Sequence, residues 1–195
     1  MSVISDYLKG LSICLKGLSQ QDIAEVAEML FQAYKQGKQI VIMGNGGSAS
    51  TASHFARDLK IGTAVEDKPR VRAMSITDNM AMITSLANDV NYNAIFEEQL
   101  VGQLDKGDII IGISASGNSP NVLNAIAYAR ESGATTVAFT GFGGGKIKDM
   151  VDKAIIVSSW DYGQVEDVHL CLCHILAYAV KEKIVGDKST SIAVE

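Results

Sequence analysis

Ile109-Ile110-Ile111-Gly112-Ile113 runs without a polar break into Ser114-Ala115-Ser116-Gly117-Asn118-Ser119, and helical character follows over about 120–132. An apolar run with no alternation predicts a strand buried on both faces. The serine-rich turn, with Pro120 behind it, predicts a tight strand-to-helix junction. The same unit occurs twice more. Gln39-Ile40-Val41-Ile42-Met43 leads into Gly44-Asn45-Gly46-Gly47-Ser48 and a helix over 49–61. Thr135-Thr136-Val137-Ala138-Phe139 leads into Thr140-Gly141-Phe142-Gly143-Gly144-Gly145. Shorter apolar runs at 71–76 and 154–158 add two strands, and a last long helix covers about 164–184. Upstream, residues 3–17 and 20–37 read as helices; in the second, Ile23, Val26, Ala27, Leu30, Phe31 and Tyr34 recur at helical steps. Buried strands alternating with helices predict a three-layer α/β/α sandwich around a five-stranded parallel sheet, preceded by an N-terminal helical hairpin. No linker or shift in composition divides the chain. The expectation is therefore one domain over 1–195: helices in 1–37, an α/β core in 38–184 and a loose tail in 185–195.

Composition narrows the function classes. The 195 residues are 47% hydrophobic and 20% charged, a globular balance that excludes intrinsic disorder. Seventeen basic against 22 acidic residues give a net charge of −5. No basic run offers the cationic footprint that nucleic-acid binding needs. No window of ~20 apolar residues could span a membrane. The start, Met1-Ser2-Val3-Ile4-Ser5-Asp6, lacks the pattern of a signal peptide. Cys14, Cys171 and Cys173 are odd in number and lack metal-finger spacing, which reads as reduced thiols in a cytoplasmic core.

In parallel sheets ligands bind beyond the C-terminal strand ends, where free N–H groups and the helix dipole favour phosphate. Two turns suit an anion: the glycine turn 44–48, and the serine turn 114–119 with three hydroxyls and a glycine. Each is also compatible with plain punctuation, since Ser119 before Pro120 makes an ordinary helix N-cap. Gly44-x-Gly46-x-x-Ala49 loosely fits a dinucleotide fingerprint, but Glu66 sits in a polar loop and not at a strand end, which disfavours a nicotinamide cofactor. Gly143-Gly144-Gly145-Lys146 lacks the Ser/Thr of a P-loop.

Taken in order, Gly44–Ser48, His54-Phe55-Ala56, Ser75-Ile76-Thr77-Asp78, Asn88-Asp89, Gly112–Ser119 and His169–Leu176 resemble the sugar isomerase (SIS) domain, and specifically the phosphoheptose isomerases. The resemblance runs from about residue 25 to 184. It implies a flavodoxin-like fold and isomerisation of sedoheptulose 7-phosphate to D-glycero-D-manno-heptose 7-phosphate. It also implies a homotetramer with active sites between subunits, and zinc. By position, Ser114, Ser116 and Ser119 would hold the phosphate, Asn45, Gly46, Gly47 and Asp89 would line the sugar, and Ser48 and Ala115 would also belong to the substrate site. Asp58, His174 and Glu166 would be catalytic, and His54, Asp58, Glu166 and His174 would be the metal positions. Ketose–aldose exchange runs through an enediol, so it needs a base at C1 and C2, an acid at O1 and O2, and a grip on the phosphate.

The chain departs from the family at two of these positions. Relatives typically carry glutamate where Asp58 stands and glutamine where Glu166 stands. The aspartate reaches roughly 1–1.5 Å less far, and a second carboxylate at 166 is expected to compensate as a ligand to a divalent ion. His54 and Asp58, at i and i+4, share a helix face. Glu166 and His174 do not: eight residues rise about 12 Å and turn about 80° off face. On a regular helix Glu166 and His169 are the better local pair, whereas family position selects His174 and leaves His169 a polar helix residue. Arg57 could pair with Asp58 or face solvent. The rival reading is a non-catalytic SIS protein that binds a sugar phosphate or a protein partner such as a replication initiator; the full His/carboxylate set argues against it.

Overall fold

The structure, a computed structural model, describes residues 2–188. Two amphipathic helices open it, α1 (Val3–Lys16) and α2 (Gln20–Lys35), with the Ser2 and Ser19 side chains capping their N-termini. There follow β1 (Gln39–Gly44), α3 (Gly47–Arg57), β2 (Arg72–Ser75), α4 (Met80–Asp89), α5 (Glu97–Leu100) and β3 (Ile109–Ser114). The chain ends through α6 (Pro120–Glu131), β4 (Thr135–Thr140), β5 (Lys153–Ile156) and α7 (Tyr162–Gly186).

All five strands are parallel, in the order β2-β1-β3-β4-β5. This is the flavodoxin-like order, in which the succession of strands switches from one side of β1 to the other and opens a crevice at the C-terminal ends of β1 and β3. The register pairs Gly44 with Ile113 and Ser114 with Thr140, which brings the turns after β1, β3 and β4 to one rim. Alternate residues of the central strands feed two cores. Ile40, Ile42, Ile111 and Phe139 pack with α2, α3 and α7 on one face. Val41, Met43, Ile110 and Ala138 pack with α5 and α6 on the other. Burial on both faces is what removes polar alternation from these strands.

Two differences from the sequence expectation matter. Met80–Asp89 is a helix capped by Asn79 that the sequence expectation did not include; it has no fully buried residue and meets the core only through the partly buried Ile83, Leu86 and Ala87. The last helix continues to Gly186, two residues into the segment expected to be loose; residues 189–195 lie outside the described chain. Among the described residues no helix is long and apolar enough to cross a membrane.

Candidate functional site

The turns after β1 and β3 flank a cavity of about 160 Å³ lined by Asn45, Ser48, Ile113, Ser114, Ala115, Ser116, Ser119, Tyr162 and Glu166. Ser119 stands at the N-cap of α6, yet its side chain makes no cap hydrogen bond, and its Oγ lies 3.2 Å from Ser114 Oγ. The hydroxyls thus converge on each other in front of α6. Gly46, the N-cap of α3, has no side chain to offer, so both helices present their N-terminal ends without a side-chain cap at this rim. Glu166 takes up the α3 end: a Cβ at Gly47 would fall on its carboxylate oxygens. That leaves the α6 end for an anion.

The serine turn is held open from behind. Gly117 has φ +64°, and a Cβ there would collide with the Gly144 carbonyl; Ile147 N–H donates to Gly117 O at 3.0 Å. Only glycine combines this left-handed backbone with that close approach. On the β1 side, the Asn45 and Asn121 amides exchange two hydrogen bonds of 2.9 Å, and Tyr92 Oη donates to Asn45 Oδ1 at 3.1 Å. Asn121 is buried, and its Oδ1 also accepts from Val122 N–H, so it fixes which way Asn45 points.

A second constellation lies farther along the seam where α3 packs against α7. Asp58 follows the last residue of α3, where the helix widens into a π turn (Asp58–Gly62) closed by Thr63 N–H donating to Asp58 O at 3.1 Å. Such single π turns are frequent at functional sites. His54 Nε2 lies 2.9 Å from Asp58 Oδ2, His174 Nε2 lies 3.6 Å from the same oxygen, and the two imidazole nitrogens are 2.9 Å apart. Asp58 Oδ1 accepts from Arg57 Nη1 at 2.8 Å, so the carboxylate presents one oxygen to each side. The histidines are half-exposed and Asp58 is buried, at the wall of a cavity of about 240 Å³ shared with Arg57, Gly62, Ala177 and Tyr178.

Among the described residues His54, Asp58 and His174 form a group that could hold a metal ion, with one donor atom each and all donors within 4.8 Å of one another. The set fits such an ion. Ligand atoms ~2.0–2.1 Å from a tetrahedral centre lie about 3.3 Å apart, and the three edges here, 2.9, 2.9 and 3.6 Å, straddle that value.

Of the residues singled out in the sequence, the structure brings Asn45, Ser48, Ser114, Ala115, Ser116, Ser119 and Glu166 to one cavity, with Gly46 and Gly47 at its edge. It brings His54, Asp58 and His174 to another. Glu166 is not in the imidazole cluster, because α7 is helical throughout 162–186 and carries Glu166 and His174 to different levels. Asp89 is exposed at the end of α4, where it accepts from Asn88 Nδ2 at 2.7 Å, and it lines neither cavity. His169 is a residue of α7, as expected, but it is buried, and no hydrogen bond joins it to Glu166. It is 1% exposed, with its ring 6.3 Å from that of Phe139 and neither nitrogen hydrogen-bonded. Burial pushes its pKa down to about 4, opposed only partly by the Thr140 main chain, which lies toward the ring without a hydrogen bond of good geometry. Sequence reasoning passed over Tyr162 and Asn121. The signal for Asn121 was an amide directly behind the Ser119-Pro120 helix start; Tyr162 had none.

The SIS domain profile matches residues 6–141. A phosphoheptose isomerase from Trichlorobacter lovleyi is 38% identical over 164 residues, 84% of this chain and 83% of that one. The chain belongs to the SIS-domain phosphoheptose isomerase family. Another relative under the same name, from Aquifex aeolicus, is 36% identical over 86% of this chain and 87% of its own. A solved phosphoheptose isomerase from Neisseria gonorrhoeae superposes with a TM-score of 0.84 at 27% identity, covering 92% of this chain and 95% of that chain. The family fold is thus the five-stranded parallel sandwich with N-terminal helices described above.

Proposed function

We propose that this phosphoheptose isomerase family member interconverts sedoheptulose 7-phosphate and D-glycero-D-manno-heptose 7-phosphate through an enediol. The observation that carries the proposal is a length. Gly47 and Glu166 mark the phosphate end of the α3–α7 seam, and His54 and His174 lie seven and eight residues further on, about 10–12 Å along the helices. An extended heptulose 7-phosphate advances ~1.25 Å per bond and measures about 9–10 Å from phosphorus to C2 and C1. The two constellations therefore match the two ends of one substrate.

In this reading the Ser114, Ser116 and Ser119 hydroxyls and the α6 N-terminus hold the phosphate, which fixes the reacting carbons in place. Ala115 and Ser48 close the cavity around it. Asn45, oriented by Asn121, serves the sugar hydroxyls. Glu166, at the α3 end of this cavity, would accept from the sugar hydroxyl groups next to the phosphate. At the far end the Asp58 carboxylate moves the proton between C1 and C2, while His174 exchanges a proton with O1 and O2. His54, Asp58 and His174 would hold a zinc ion. When bound, it would supply a Lewis acid that steadies negative charge on the enediol oxygens. Asp89 keeps a role at the sugar only if its loop reaches a neighbouring subunit's site.

The same reading includes a single SIS domain and a homotetramer with active sites at subunit contacts. Support for assembly comes from apolar side chains left uncovered on α1 (Val3, Ile4, Leu8) and on α7 beside the imidazole cluster (Ile175, Tyr178). A cytoplasmic location is supported by three free cysteines. A binding-only role would leave the His/Asp/His cluster without a function. The test is a chromatographic assay of several ketose phosphates, run with zinc and with a chelator. Conversion of sedoheptulose 7-phosphate that the chelator suppresses is expected; no conversion of any substrate in either condition overturns the proposal.

A further inference from the structure

Trp160, Phe142 and Tyr162 form an aromatic cluster at the rim of the serine cavity. The Phe142 ring lies 5.6 Å from Trp160, edge-on at 80°, and 4.6 Å from Tyr162. Trp160 is 77% and Tyr162 59% exposed, which leaves two of the largest apolar side chains in water beside a polar cavity. Tyr162 is itself part of that cavity's lining. Phe142 is held in the left-handed region at φ +51°, a conformation costly for a residue with a Cβ, and its N–H donates to Ser159 O at 3.0 Å. The turn after β4 and the turn before α7 are thus tied together, and the strain is spent on keeping three rings at one place. The cavity measures about 160 Å³, well below the ~300 Å³ at which pockets begin to enclose a whole small molecule. It can seat a phosphate and the adjoining carbon, so the next carbons must pass over its edge.

We propose that Trp160 and Tyr162, braced by Phe142, are specificity-determining residues that cover the C–H face of the phosphate-proximal carbons of a phosphorylated sugar seated in the serine cavity. Polar groups around the cavity recognise hydroxyls and phosphate; the rings supply the apolar surface that a carbon chain needs to leave water. The wall therefore favours a sugar phosphate over free phosphate, which fills the serine turn without reaching the rings. This rests on the reading of the serine cavity as the phosphate end of the substrate site.

Trp160 is the only tryptophan of the chain, so its emission reports on the wall alone. The full-length protein is titrated with sedoheptulose 7-phosphate and, separately, with inorganic phosphate, at two protein concentrations. A saturable emission change with the sugar phosphate, and a much smaller one with inorganic phosphate, is expected. Tyr162→Ala and Trp160→Ala should each raise KM about tenfold, equivalent to ~1.4 kcal/mol, with kcat within about twofold, and Tyr162→Phe should restore KM. Turnover with silent emission, or with KM unchanged in both alanine variants, overturns the wall and leaves the isomerase reading intact. Emission that follows protein dilution and not ligand makes the cluster a subunit contact and overturns it as well. A saturable emission change without turnover of any ketose phosphate supports the wall while removing the isomerase reading.

Discussion

The burial of His169 predicts that stability falls in acid. Its imidazole is 1% exposed, unpaired, and has its pKa pushed down to about 4 by burial, whereas in the unfolded chain it titrates near 6.5. Between those values the unfolded state binds the extra proton, so stability rises with pH across the window and is lost as pH falls through it. The difference corresponds to about 3 kcal/mol once both states are protonated, most of it lost between pH 7.5 and 4.5. Replacing the ring by leucine removes this term and two buried polar atoms without partners, so His169→Leu should match or exceed wild-type stability at pH 7.5. The assay is urea unfolding followed by circular dichroism from pH 7.5 to 4.5, at one protein concentration because assembly contributes to stability. Other groups titrate equally in both proteins, so the variant should lose about 2–3 kcal/mol less than wild type over that range. Parallel curves for the two proteins would refute the reasoning and require a partner for the ring.

Other expectations concern the site. Gly117→Ala forces a Cβ into the Gly144 carbonyl at φ +64°; a loss of about 2–4 kcal/mol in chemical denaturation is expected, together with loss of phosphate protection against thermal unfolding. Asn121→Leu leaves the Asn45 amide without its reciprocal partner; stability should fall by about 1–3 kcal/mol, and KM should rise more than kcat falls. His54→Ala and His174→Ala should each weaken zinc binding at least about tenfold in competition with a chromophoric chelator, since each removes one of three donors. Unchanged zinc affinity in both would remove the cluster from consideration as a metal site.

Much of this was legible in the chain because the strands are buried on both faces. Unbroken runs such as Ile109–Ile113 mark themselves, and the small-residue turns after them mark the crevice. Helix α4 is harder to read because its core-facing stripe is short and only partly buried, Ile83, Leu86 and Ala87. The geometry of a regular helix already put Glu166 and His174 on different levels, and the structure keeps them there. The burial of His169 follows from phase and not from its chemistry: Val165, Val168, Leu172 and Leu176 recur at helical spacing and are buried, and His169 falls within their stripe. The Arg57–Asp58 pair and the aromatic cluster depend on side-chain direction and on contacts between distant turns, which no local pattern encodes.

The central claim is that the serine turn and the His54–Asp58–His174 cluster act on the two ends of one phosphorylated ketose. It is tested most directly by incubating the zinc-loaded protein with sedoheptulose 7-phosphate in deuterium oxide and following the proton spectrum. An enediol formed at Asp58 places solvent deuterium at C2 of the aldose or C1 of the recovered ketose, and Asp58→Ala should abolish both product and exchange. Neither product nor deuterium in the wild-type protein, with the sugar phosphate shown to be bound, would contradict the account.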